Sequence, residues 1–460
     1  MQSKIHCAKA AKRLAAESGI GRLLRMTGAG CLGLALVGFG ELTLAQPQEQ
    51  AQNDPQNVRY TIQDLGDVGP LGQPFMISND GFIAGFAAAQ NGAQQATLWF
   101  NSAQVDIGMP GLGGTDSAAY GVNDWGITVG GSQTSASNPE NLNAEDFCGF
   151  YAEGFPTSNT TCLPFFWRAG TMYALPTLGG PNGSAFMIND KGEVVGYAEN
   201  SRQDSDCPVH QFQPVVWKNG KPHALATPGD SYGIAAYINE KGQVVGASGT
   251  CTSSFNPDTY LYLYENRVWL WDSDGTPHEL KTLGGTGPFG NHACAINNLG
   301  QAAGHSETSD GATFYGVVWL DPLGPGKPPA TLMPLSGDVA SFALGINDET
   351  TVVGTSIEST TTFQSTAFVW QNGAAAVTNL NNLIRSNPGG LYLALAESIN
   401  NRGEIVGFGV TSTGEVHGFL AIPSDDPDSV VSASMPKPVL TDQARRMLQR
   451  ALARRGGLPR

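Results

Sequence analysis

Two sets of side chains in this sequence have types and spacings that could do chemistry. The first lies in three polar stretches, residues 133–163, 200–212 and 249–266. Tyr151, Phe155, Tyr260, Tyr262 and Tyr264 supply flat apolar faces there, and Glu140, Glu145, Asp146, Asp204 and Asp206 supply acceptors. A ring can cover the apolar face of a sugar while a carboxylate takes its hydroxyls, and the same mixture suits a protein partner. The rival reading is ordinary loop decoration. The second set is any pair of carboxylates that the fold brings together, since two such groups can act as general acid and base on a glycosidic bond. Sequence alone does not place them, and no catalytic residue is assigned.

Other chemistries find little support. The six histidines beyond the N-terminal region include no pair at metal spacing, and His-Glu-x-x-His, Gly-x-Ser-x-Gly and a Walker loop are all missing from the sequence. No two cysteines stand at Cys-x-x-Cys spacing, which argues against zinc. No cofactor is expected, with calcium the one ion that has a candidate loop. That loop is Ser424-Asp425-Asp426-Pro427-Asp428, which reads equally as a solvated linker.

The chain carries a net charge of −15. Residues 1–45 contribute +4 and residues 424–460 contribute +3, leaving −22 on the body between them. A body that acidic repels phosphate backbones, so nucleic acid is excluded as its partner. Fifty-nine glycines and 28 prolines among 460 residues suit many short strands joined by tight turns.

Residues 1–26 are basic, an apolar run from Ala29 to Phe39 follows, and Thr43-Leu44-Ala45 offers small residues for cleavage. Residues 1–45 are therefore expected to be a signal peptide and 46–57 a disordered linker, giving a secreted protein, extracellular or periplasmic. In an oxidising compartment the expected disulfides are Cys148–Cys162 and Cys207–Cys251, with Cys294 free in a strand; five unpaired thiols are the alternative.

The elements that must position these residues are written in a repeat. Ile188-Asn189-Asp190-Lys191-Gly192-Glu193-Val194-Val195-Gly196 is two short strands hinged on a turn, and near copies begin at Ile77, Val122, Ile238, Ile296, Ile346 and Ile399. After each comes an apolar run that in six of the seven copies ends in Trp, such as Pro214-Val215-Val216-Trp217. In this copy Lys218-Asn219-Gly220 then turns the chain into a fourth strand. The tryptophans are expected to pack between units. The turn asparagines, Asn123, Asn189, Asn239, Asn297, Asn347 and Asn400, are expected to bond their own backbone, on the face opposite the long insertions.

Seven four-stranded units predict an all-β fold, a seven-bladed β-propeller over residues 58–423. Arg59-Tyr60-Thr61-Ile62 resembles a fourth strand with no unit before it, and the unit ending at Phe419-Leu420-Ala421-Ile422 lacks a fourth. The N-terminal strand should therefore close the ring, and a monomer is expected. The insertions would rise side by side on blades 2–4. Residues 424–439 read as a linker and 440–455 as a short basic amphipathic C-terminal helix. That helix could lie on an anionic membrane, bind a partner or dock weakly on the ring, the last being favoured.

The units resemble the bacterial extracellular HAF repeat, through the Ile-Asn-x-x-Gly-x-Val-Val-Gly hairpins, the Leu-Gly-Gly turns at Leu178, Leu283 and Leu112, and His417-Gly418-Phe419-Leu420. The resemblance implies secretion and a repeat fold, not an activity. The expected function is a secreted, non-enzymatic propeller binding a glycan or extracellular protein through the loops of blades 2–4. The alternative is a secreted carbohydrate-active hydrolase or lyase using carboxylates at the channel mouth.

Overall fold

A computed structural model describes residues 58–453 apart from 70–71, 90–91, 102, 141–158, 206, 208, 257–260, 288, 325–326, 360–363 and 425–436; for residues 252–266, 443, 450, 451 and 453 only the backbone is described. Seven sheets, each built on four antiparallel strands, form the seven blades of a propeller. Blade 3 shows the pattern, with strands Gly179–Ile188, Val194–Gln203, His210–Lys218 and Lys221–Ala224 paired in sequence order.

The Val-Val-Gly signature has a steric origin. In every blade the glycine of the second strand faces a first-strand carbonyl, and at Gly196 a Cβ would stand 2.0 Å from the Ser184 oxygen. The tryptophans behave as expected. Trp217 and Trp271 are fully buried, and their indole N–H groups donate to the Pro176 and Ala226 carbonyls of the preceding blades at 2.7 Å.

The ring closes as the chain ends predict. Arg59–Asp67 runs antiparallel to Val416–Ser424, with Ile62 opposite Ala421 and Asp64 opposite Phe419. One feature was not foreseen. Ile384–Ser386 adds a fifth strand, parallel to the N-terminal one, so the outer edge of blade 7 is itself covered. Three residues with no alternation give a sequence reading nothing to detect.

The C-terminal helix docks on the ring, the favoured expectation. Asp442–Ala453 is helical, and the described part of its apolar stripe packs against the blades. Leu440, Ala444, Met447, Leu448 and Leu452 are buried in one apolar cluster with Phe314, Phe342, Phe408 and Val416. Thr441 caps the helix through the Ala444 N–H and donates to the Gly414 carbonyl, and Lys437 pairs with Glu358 at 2.8 Å. The helix thus sits on the second-to-third-strand turns of blades 6 and 7, where no long insertion stands.

Candidate functional site

The three long insertions are partly protruding hairpins rather than loops. In blade 4 the second strand reaches Asn256 and the third starts at Leu261, so Cys251 pairs with Leu263 and Thr250 with Tyr264. Blade 2 extends to Ser137 and resumes at Thr160. Because the strands continue upward, the sheet framework itself orients the wall.

Cross-links then join neighbouring insertions. Cys207 and Cys251 form the expected disulfide between blades 3 and 4, with 5.8 Å between their Cα atoms. Beneath it lies a small apolar core of Tyr197, Val209, Phe212, Tyr232 and Ile234. Cys162 is also disulfide-bonded, and Cys148, its expected partner, lies outside the described residues. Cys294 lies buried in the strand Asn291–Ile296, as expected.

Glu140, on the blade 2 insertion, reaches blade 3. Its Oε1 accepts from the His210 backbone N–H at 2.7 Å and lies 2.6 Å from His210 Nδ1, and its Oε2 accepts from Asn182 Nδ2 at 3.0 Å. Asn182 also donates its backbone N–H to Glu199 Oε2 at 2.9 Å. Donor atoms of Glu140, Glu199 and His210 all lie within 4.8 Å of one another. Glu199 is fully buried, and burial, followed by the charge of Glu140, holds its carboxyl far above the usual range. It can approach so closely only because Gly180, in the Leu-Gly-Gly turn, has no side chain: a Cβ there would stand 2.4 Å from the Glu199 Cβ.

Among the residues expected to bind, Asp204 is described and accepts from Gln211 Nε2 at 2.7 Å within its own hairpin. Tyr262 and Tyr264 lie on the third strand of blade 4, where the backbone alone is described. Tyr151, Phe155, Glu145, Asp146 and Tyr260 lie outside the described residues, as do Asp206 and the three aspartates of the candidate calcium loop. The triad of Glu140, Glu199 and His210 was missed as a unit. Seventy residues separate Glu140 from His210, and only pairing of blades 2 and 3 brings them together.

The opposite face holds the channel mouth. The turn asparagines bond their own backbone there, as in Asn189, whose Oδ1 accepts from Glu193 N at 2.9 Å. Each also donates Nδ2 to the next blade, from Asn123 round to Asn400, which reaches the Ser78 carbonyl of blade 1, at 2.9 to 3.2 Å. The following residue forms a second ring. Each backbone N–H of Asn79, Asp124, Asp190, Glu240, Asn298, Asp348 and Asn401 donates to the side chain of its neighbour, closing at Asn401 to Asn79. Four carboxylates therefore gather around an axial cavity of ≈ 70 Å³. Tyr237 of blade 4 touches Met76 of blade 1 across the axis, at 3.7 Å from hydroxyl to sulfur. Burial and then the charge of Asp124 raise the Asp190 carboxyl, and burial and then Asp190 raise Glu240.

No family model and no curated protein matches the chain. Among solved structures it is similar to a puromycin-hydrolysing peptidase of Mycobacterium tuberculosis, at 11% identity and TM-score 0.41, over 78% of this chain and 56% of that one. It is also similar to a streptogramin B lyase, at 9% identity and TM-score 0.39, over 80% of this chain and 98% of that one. A fucose-recognising lectin of Aleuria aurantia matches at 9% identity and TM-score 0.30, over 83% of this chain and 97% of that one. Likeness this distant carries no argument about this chain.

Proposed function

We propose that the chain is a secreted propeller of the HAF-repeat kind that binds a glycan or an extracellular protein through the wall raised by blades 2–4. The observation that carries this reading is the cross-bracing of that wall. Cys207–Cys251 ties blade 3 to blade 4 and Glu140 ties blade 2 to blade 3, so the described bases of the three insertions are linked to one another. Rigid display lowers the ordering cost of binding, and the loops of a fixed scaffold are where recognition concentrates. The disulfide itself fits a compartment outside the cytoplasm. A glycan array and an envelope-protein pull-down with the mature chain test the reading. Binding that falls in a Tyr262→Ala/Tyr264→Ala variant supports it, and a mature chain that engages nothing on either platform overturns it.

The second reading, a carbohydrate-active hydrolase or lyase, has the adjacent carboxylates Asp124, Asp190 and Glu240 in its favour. Raised carboxyls beside an acidic neighbour suit a general acid. Against it, each of these side chains already accepts a backbone N–H from the preceding blade. Turnover of a polysaccharide that disappears in Glu240→Gln would favour it over the binding reading.

A further inference from the structure

Glu140, Glu199 and His210 gather two carboxylates and an imidazole into one largely buried cluster. Two carboxylates lie side by side, the Glu199 residue fully buried and the Glu140 side chain only 3% exposed. Among the described residues no lysine or arginine pairs with either. Glu199 Oε1 has no hydrogen-bonding partner beyond the adjacent Glu140 carboxyl, which can serve it only if one of the two holds a proton. Burying like charges is costly unless a counter-charge accompanies them.

We infer that these three side chains form a binding site for a divalent transition-metal ion, with Zn²⁺ or Mn²⁺ as its natural occupants. Three donors at about 2.0–2.2 Å from one ion stand at most about 4.4 Å apart, so the observed spread within 4.8 Å needs only small side-chain shifts. The donor set of two carboxylate oxygens and one imidazole nitrogen suits Zn²⁺ and Mn²⁺; the imidazole disfavours Ca²⁺ and Mg²⁺. The ion would stand between Glu140 Oε1 and His210 Nδ1, with the imidazole proton carried on Nε2. Asn182 is the positioning residue, since its backbone and side-chain N–H groups hold one oxygen of each carboxylate. Three protein ligands leave at least one coordination position for water or for an oxygen of a bound partner. The His210 side chain, 27% exposed, lies on the solvent side. The site lies within the wall but does not depend on what the wall binds.

The test uses the mature chain, purified without a polyhistidine tag, stripped with chelator and titrated separately with Zn²⁺ and Mn²⁺. One ion should bind per chain by calorimetry and elemental analysis, raising the Tm. Glu199→Gln and His210→Ala should each weaken binding by tenfold or more, and Asn182→Ala by about 10–100-fold. Glu199→Gln keeps the side chain's size and an acceptor for the Asn182 N–H, so an unchanged circular-dichroism spectrum of the metal-free variant separates loss of the site from loss of the fold. The inference is overturned if neither ion binds at one per chain, or if binding survives both ligand substitutions unchanged. Glycan or protein binding that persists in the stripped chain would leave the recognition reading standing whichever way the metal result falls.

Discussion

The turn asparagines do two jobs with one side chain. Asn297 Oδ1 accepts from Leu299 N and Gln301 N at 3.0 and 2.9 Å, while Nδ2 donates to the Asn347 carbonyl of the next blade at 2.9 Å. Asn297→Ala should therefore cost about 2–3 kcal/mol, because it strands buried donors and an acceptor together. Asn297→Ser should cost less, since blade 1 carries Ser78 at this place and keeps the Phe82 N–H bond. Urea unfolding of both variants checks the ranking. The first job was legible in the sequence because it needs only the local turn. The second was not, because it needs the neighbouring blade to exist. The carboxylates one residue on make a separate prediction. A carboxyl raised on folding binds more protons folded than unfolded, so its stabilising contribution is complete below the ordinary value of about 4 and lost as pH rises through the folded value. Asp190 and Glu240 are both raised, so the chain should lose stability as the pH climbs through their folded range. Asp190→Asn keeps the acceptor for the Asp124 N–H, as the natural Asn79, Asn298 and Asn401 do in the same ring. It should flatten that slope and raise the Tm at neutral pH, as read by thermal melts across pH 4–8.

At the scale of elements, the C-terminal helix and its docking on the ring were legible, and the blades that receive it were not. The spacing of Ala444, Met447, Leu448 and Leu452 identifies an apolar stripe, yet a stripe alone does not say what covers it. The structure covers it with blades 5–7, which carry short turns where blades 2–4 carry hairpins. Fully buried Leu448 should then behave as a core residue, and Leu448→Ala should cost about 2–5 kcal/mol in chemical unfolding. A helix merely tethered to the ring would show almost no change. The wall makes the complementary case. The Cys207–Cys251 pairing was readable because both cysteines fall in equivalent insertions of adjacent repeats. The bridge closes a 44-residue separation, so the chain-entropy account assigns it up to about 4 kcal/mol. A Cys207→Ser/Cys251→Ser variant should lose much of that stability, and trypsin should cut the blade 3 insertion after exposed Arg202 before the ring itself. The Glu140 contact had no such signature. Nothing in Asn-Pro-Glu or Val-His-Gln marks a partner 70 residues away.

The whole ring depends on a join that sequence arithmetic located and packing then reinforced. Blade 7 takes three strands from the chain's end and one from its beginning, so unfolding the blade must open the ring. Tyr60 and Ile62 project into an apolar cluster with Leu393, Ile405, Phe419 and Ala421, which holds the closing strand by side chains as well as by the ladder. The strand Ile384–Ser386 adds a second ladder on its far side, so the N-terminal segment is an inner strand rather than a sheet edge. Removing residues 58–66 would uncover two edges at once, the Val416–Ser424 ladder and the inner side of Ile384–Ser386. Unpaired ladders recruit other chains, so the truncated protein should form dimers and larger species by light scattering at micromolar concentration. Ile62→Asp gives a milder opening with the same length of chain: a charge placed in that cluster should release the strand, lower the Tm, and raise hydrogen exchange first in residues 416–424. A truncated chain that stays monomeric with an unchanged melting temperature would mean that blade 7 holds without its borrowed strand, and that the six remaining interfaces suffice to keep the ring shut.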